Sequence, residues 1–300
     1  MIYVLAVCAA ALSGVGNAIQ QRAAVRAPAG SALHWRLLAY LLRQRLWLAG
    51  LAIAVAGNIM TGASLGLGTV TLVEPLTVTS LLFALPVAAI WSRYRLGPRE
   101  WIGALAVVLG LAAFLVAGQP EPGQRADAPL WQWGLAAGAI GSVTWGLVHV
   151  ARRMRPQHEA SVLGVGAGML FGLQAALTST AAHRLFDAGL PAVLTSWTPY
   201  AVVAVAAVGI LLAQSAYKLA PLSVSYPAVT AAEPLAGIAI GVSVLGGALQ
   251  VGPLLIVAQV AALAVMIGGV YAVAASRLVE AHHQHRFHAP HLRVGIGHHR

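Results

Sequence analysis

Charge is what this sequence has least of. Only 9% of its 300 residues are charged, against 59% hydrophobic, and its mean hydropathy is +0.79. A soluble domain of that length needs far more polar surface, so a water-soluble enzyme or binding module is excluded. Cysteine occurs once, at Cys8, which rules out an intrachain disulfide. The stretch Leu5-Ala6-Val7-Cys8 lacks the basic leader and the small residue of a lipoprotein cleavage site, so the first segment reads as an uncleaved span. No glycine-rich phosphate loop is present, and no long extramembrane stretch could house one, which disfavours an ATP-driven pump. Intramembrane His/Asp or Ser/His constellations are missing too, so no enzyme and no cofactor are expected.

What the chain does have is apolar runs near the ~20 residues that match a bilayer core. Nine are expected, at about 2–20, 46–66, 70–91, 101–118, 130–150, 160–182, 199–219, 222–245 and 254–276. The fold class is therefore an all-α polytopic membrane protein with nine transmembrane helices. The formal net charge of +10 invites a nucleic-acid partner, but its placement argues against one. With nine spans, sixteen of the 18 basic residues fall on one side, and only Arg125 and Arg184 on the other. That is the positive-inside pattern: a multi-pass plasma-membrane protein, N-terminus outside, C-terminus cytoplasmic. Arginine outnumbers lysine seventeen to one, and this compositional bias suggests a bacterial source. The basic segment 22–45 has Leu33, Leu37, Leu38, Leu41 and Leu42 set against Arg36, Arg43 and Arg45. It reads either as an amphipathic helix on the inner surface or as a loop that fixes topology.

The polar, proline-rich stretch 119–129 divides the chain into halves at 1–118 and 130–276, followed by a tail at 277–300. The halves resemble each other. Leu67-Gly68-Thr69-Val70-Thr71 and Pro75 echo Leu219-Ala220-Pro221-Leu222-Ser223 and Pro227, and Val107-Val108-Leu109-Gly110 echoes Met266-Ile267-Gly268-Gly269. In the nine-span topology the repeated units run in opposite directions, the signature of an inverted repeat. The first copy reads Ala63-Ser64-Leu65-Gly66-Leu67-Gly68-Thr69 through Glu74-Pro75-Leu76 to Phe83-Ala84-Leu85-Pro86. The second reads Gln214-Ser215-Ala216-Tyr217-Lys218 through Ser223 to Glu233-Pro234-Leu235. This doubled pattern of small residues and prolines resembles the drug/metabolite transporter superfamily with its EamA-like repeats. In layout it is most similar to the NIPA-type magnesium transporters. Gly246-Gly247 departs from the acidic Gly-Glu common at that turn.

Glu74 and Glu233 are carboxylates inside apolar runs, where each costs roughly 2–3 kcal/mol or more. The proline after each disrupts its helix and frees carbonyls for a ligand. Glu233 falls near the midplane, on one helical face with Tyr226, Thr230 and Gly237, and reads as an ion ligand or proton carrier. Glu74 lies one to one and a half turns below the outer surface, roughly 6–9 Å deep, sharing a face with Thr71 and Thr77. A site role and simple snorkelling stand level for it. Asn58 and Thr61 lie at comparable depth and complete the candidate set with Gln214. Other intramembrane amides, Asn17, Gln21 and Gln174, read as interhelical hydrogen-bond partners.

Lys218 reads as snorkelling to headgroups, and His149, with Trp145 one turn earlier, as an interfacial anchor. Gly103, Gly110, Gly164, Gly166, Gly168, Gly237 and Gly241 read as close-packing positions. His282, His283, His285, His288, His291, His298 and His299 form a solvated basic tail rather than a metal site. Two glutamates and no deeply buried arginine or lysine make a negative site, which selects cations or protons. The resemblance implies Mg²⁺, with Glu233 and Glu74 as metal ligands. The alternatives are a proton-coupled carrier of a small metabolite or organic cation, and a non-transporting scaffold. The expected partners are the cationic solute or proton and the lipid bilayer; a homodimer stays open.

Overall fold

The computed structural model describes residues 2–67, 76–92, 96–121, 123 and 128–274. Among them the chain forms ten α-helices and no named strand. These are α1 (Ile2–Val25), α2 (Trp35–Leu41), α3 (Arg45–Leu67), α4 (Ser80–Ser92) and α5 (Pro98–Gly118), then α6 (Leu130–Ala151), α7 (Pro156–Leu194), α8 (Thr198–Leu219), α9 (Leu222–Ser243) and α10 (Pro253–Ala274). Prolines open α5, α7 and α8 at their first turns, where a missing N–H costs nothing.

Seven helices, α1, α3, α5, α6, α7, α8 and α10, are long and apolar enough to cross a membrane. The other two expected spans have weaker counterparts. The 70–91 run overlaps an apolar helix at Leu76–Trp91, and its first residues, Glu74 among them, lie outside the described residues. The 222–245 run is α9, whose length suffices but which carries Pro227, Pro234, Glu233 and several hydroxyl residues. Contrary to expectation, α9 is continuous across both prolines. Pro234 has no N–H for the Thr230 carbonyl, so one helix hydrogen bond is lost without breaking the helix.

α7 overshoots its expected span. Its 39 residues would reach about 58 Å at 1.5 Å per residue, far beyond a ~30 Å hydrocarbon core. Gly189, at φ 78°, kinks the projecting end.

Small residues set the helix packing. α1 docks on α3 and α4, α7 on α8 and α9, and α5 on α10. A Cβ on Gly172 would meet the Glu233 carbonyl oxygen at 2.5 Å and the Gly237 nitrogen at 2.6 Å. Gly14 meets α4 through the same kind of ledge: Ser80 O, the Phe83 Cβ and Ala84 N. Gly103, Gly110, Gly164 and Gly168 are close-packing positions as expected, whereas Gly241 faces open space and Gly237 only ordinary contact.

The 22–45 segment is not a surface helix. α1 continues to Val25, and only Trp35–Leu41 is helical beyond it. Leu37 and Leu41 are fully buried, with α2 against α8, so these two are spent on protein rather than lipid, while Leu42 stays exposed. At the opposite end of α8, the described part of the 119–129 linker pairs with the α9–α10 turn. Glu121 and Ala248 exchange backbone hydrogen bonds of 2.9 and 3.3 Å, and the Gln250 N–H donates to the Gly118 carbonyl at 2.8 Å. Gly246 takes φ 73°, and a Cβ on Gly247 would sit 2.6 Å from the Glu121 carbonyl. The glycine pair is what lets the linker approach, and an acidic side chain at 247 would push it away.

Candidate functional site

A polar seam runs between α1, α4, α8 and α9, where the two halves meet. On α9, Tyr226, Thr230 and Glu233 follow one another at spacings of four and three, so they share a face. α7 fixes that face from behind. Glu233's backbone passes between Gly168 and Gly172, whose Cβ positions would fall 3.0 Å from its nitrogen and 2.5 Å from its carbonyl oxygen. No larger residue allows that approach, so the two glycines of α7 hold Glu233 in register.

Asn17 of α1 joins two tyrosines. Its Nδ2 donates to the Ser13 carbonyl at 2.9 Å and to Tyr226 Oη at 3.4 Å, and its Oδ1 accepts from Tyr217 Oη at 3.3 Å. Tyr226 Oη also lies 3.1 Å from Ser80 Oγ on α4. The Tyr217 and Tyr226 rings meet edge to face, with centroids 6.4 Å apart. Both phenols lie within electrostatic range of the Glu233 carboxylate. Thr230 turns its hydroxyl onto its own helix, donating to the Tyr226 carbonyl at 3.1 Å and the Pro227 carbonyl at 3.2 Å.

About one turn before Tyr217 on α8, Gln214 Nε2 donates to Gln20 Oε1 at 2.7 Å. Gln214 is 2% exposed, and its Oε1 is buried with no hydrogen-bond partner among the described residues. A buried acceptor left open is costly and marks a place where a donor from water or a solute would be welcome.

Of the expected site residues, Glu233, Tyr226 and Thr230 share one face of α9, and Gln214 lies about one turn before Tyr217 on α8. Asn58 is exposed on α3, and Thr61 beside it is only half-buried. Neither is among the seam's contacts, since α3 packs chiefly on α1. Glu74 lies outside the described residues, as does the histidine tail. Among the described residues no group of three His, Cys, Asp or Glu side chains gathers to hold a metal. Sequence reasoning missed Tyr217, Ser80 and Gln20, and it ranked Asn17 below Asn58. A tyrosine and a glutamine inside apolar helices were the available signal; their partners on distant helices were not legible.

Lys218 does not snorkel. It is 9% exposed, and its Nζ donates to the Pro28 carbonyl and, at 2.5 Å, to Ser31 Oγ. His149 is exposed and stacks on Trp145, with ring centroids 5.7 Å apart.

Fold and seam together define the class: an all-helical membrane protein with a polar centre assembled from both halves of the chain. The chain is 31% identical over 237 residues to an uncharacterized protein of Corynebacterium glutamicum, covering 79% of this chain and 81% of that one. It belongs to the same family as that protein. No family model matches the chain, and no solved structure matches it.

Proposed function

We propose that this protein is a secondary transporter of the drug/metabolite type, carrying a small cationic solute along the seam between its halves. The observation that carries this reading is Glu233. Its backbone is clamped by Gly168 and Gly172, on the α9 face it shares with Tyr226 and Thr230, and its charge is felt by the Tyr217–Tyr226 pair. A carboxylate inside a membrane is retained where an ion or proton must bind.

In this reading the chain crosses the plasma membrane nine times, with the N-terminus outside and the two repeats inverted. Two features of the packing support the repeat. α1 docks on α3 and α4, and α7, which takes the matching place in the second repeat, docks on α8 and α9. Counterparts also touch across the halves, α5 with α10 and α4 with α9, as elements beside a two-fold axis do.

The family resemblance suggests Mg²⁺, which needs only one or two carboxylates and keeps much of its water. A specific observation favours the second reading, a proton-coupled organic cation. The seam offers an aromatic pair and an amide beside a single described carboxylate, and ring faces attract organic cations. Purified protein in liposomes separates the two. A Mg²⁺ permease carries Mg²⁺ to a trapped fluorophore without a pH gradient, whereas the coupled carrier moves protons only when an organic cation is supplied. Glu233→Gln should abolish either flux. If no flux of either kind appears, or if Glu233→Gln leaves it intact, the transporter reading fails.

A further inference from the structure

The seam does not open freely at the end where α1 gives way to α2. The 26–34 loop crosses the C-terminal turn of α8 and is tied to it at two points. Lys218 donates to the Pro28 carbonyl and Ser31 Oγ, and the Leu33 N–H donates to Ser215 Oγ at 2.9 Å. The Gln20–Gln214 pair lies directly behind, Gln214 one helical turn before Lys218.

Three features distinguish this from an ordinary loop. Lys218 is the chain's sole lysine, and a buried ammonium in an apolar protein is held at a cost that only specific acceptors offset. Leu33 sits at φ 59°, a left-handed conformation that a leucine adopts only when its surroundings impose it. Gly30, at φ 72°, would meet nothing within 4 Å even with a Cβ, and a cleft of about 240 Å³ lies against the loop, lined by Pro28, Ala29, Gly30, Ser31, His34 and Arg36. The loop is therefore fastened at its base, strained at Leu33, and unobstructed on its outer side.

We propose that the 26–34 loop is a gate over one mouth of the polar seam, latched shut by Lys218 and Ser215 in the state described. Opening exchanges the ammonium's contacts for water and releases the left-handed Leu33, so the closed and open states are brought near balance. The purpose of the gate rests on the transporter reading; its existence does not, and it is tested without any solute.

The experiment uses the full chain in liposomes with Cys8→Ala as background and Gln20→Cys as reporter, labelled with a membrane-impermeant maleimide. Deuterium exchange over residues 26–34 reports the loop itself. With the latch intact both are slow. Lys218→Met should raise both rates about tenfold or more and Ser215→Ala about threefold, while Lys218→Arg, which keeps its donors, stays near wild type. Should Lys218→Met fail to yield folded protein, Ser215→Ala carries the same comparison. Faster exchange in the loop without faster labelling at Gln20→Cys makes the loop a structural staple and overturns the proposal, as do rates that no variant changes. Labelling that responds in a protein with no measurable flux upholds the gate and sinks the transporter reading instead.

Discussion

α3 and α8 each pack along the long helix before them, α1 and α7, yet they end in different places. α3 keeps 22% of its most apolar window buried, and α8 keeps 39%. On α3 the intramembrane amide, Asn58, faces outward; on α8 the amide, Gln214, is 2% exposed and bonded across the halves. The difference comes from α1, which packs not only on α3 and α4 but also on α8. Repetition of the local recipe does not make the halves equivalent. The helix that also packs across the halves becomes part of the site, and the one left at the rim does not.

That contrast can be broken by substitution. The largest effect is expected at Gly172, where a Cβ already falls 2.5 Å from the Glu233 carbonyl. Gly172→Leu should cost about 3 kcal/mol or more and remove most folded protein from a detergent gel-filtration profile. Gly62→Leu on rim helix α3, where nothing lies within 4 Å, should leave the profile unchanged. Next comes activity: Glu233→Gln is expected to lower solute flux about 100-fold, while Asn58→Leu stays within about twofold. Equal losses from the two would erase the distinction between centre and rim. Gln214→Leu leaves Gln20 Oε1 buried without its donor, and a loss of about 1–3 kcal/mol should appear as a thermal midpoint lowered by several degrees. Smallest is Tyr226→Phe, which gives up the contacts to Ser80 and Asn17. Interhelical hydrogen bonds in membranes average about 0.6 kcal/mol, so a shift of one or two degrees is the expected reading.

Much of the helical order was legible because apolar length is a strong signal. Seven of the expected runs reappear as helices of spanning length, and 70–91 and 222–245 overlap two more. The face of Glu233, Thr230 and Tyr226 was legible for the same reason, since helix periodicity is local. What lay beyond reach was long-range. Asn17 meets Tyr217 and Tyr226 across 200 and 209 residues of sequence, and nothing near Asn17 distinguishes it from Asn58. Lys218 was misread because a lysine near a helix end ordinarily reaches for water; here a loop 190 residues earlier supplies the acceptor. For the 22–45 segment a surface helix and a loop stood level, and neither reading foresaw Leu37 and Leu41 buried against protein. Its apolar face was real, but amphipathicity does not say whether lipid or protein will cover it.

The bridge between Glu121 and Ala248 carries a mechanical consequence. It welds the linker to the α9–α10 turn with main-chain bonds, which hold no titratable group and depend on side chains only through the space that Gly247 leaves. At the far end, by contrast, the 26–34 loop is held on α8 through side chains, among them the Lys218 ammonium and the Ser215 hydroxyl. Any rocking of one half against the other would take its axis from the welded end and its amplitude from the other, as a door does from its hinge and its handle.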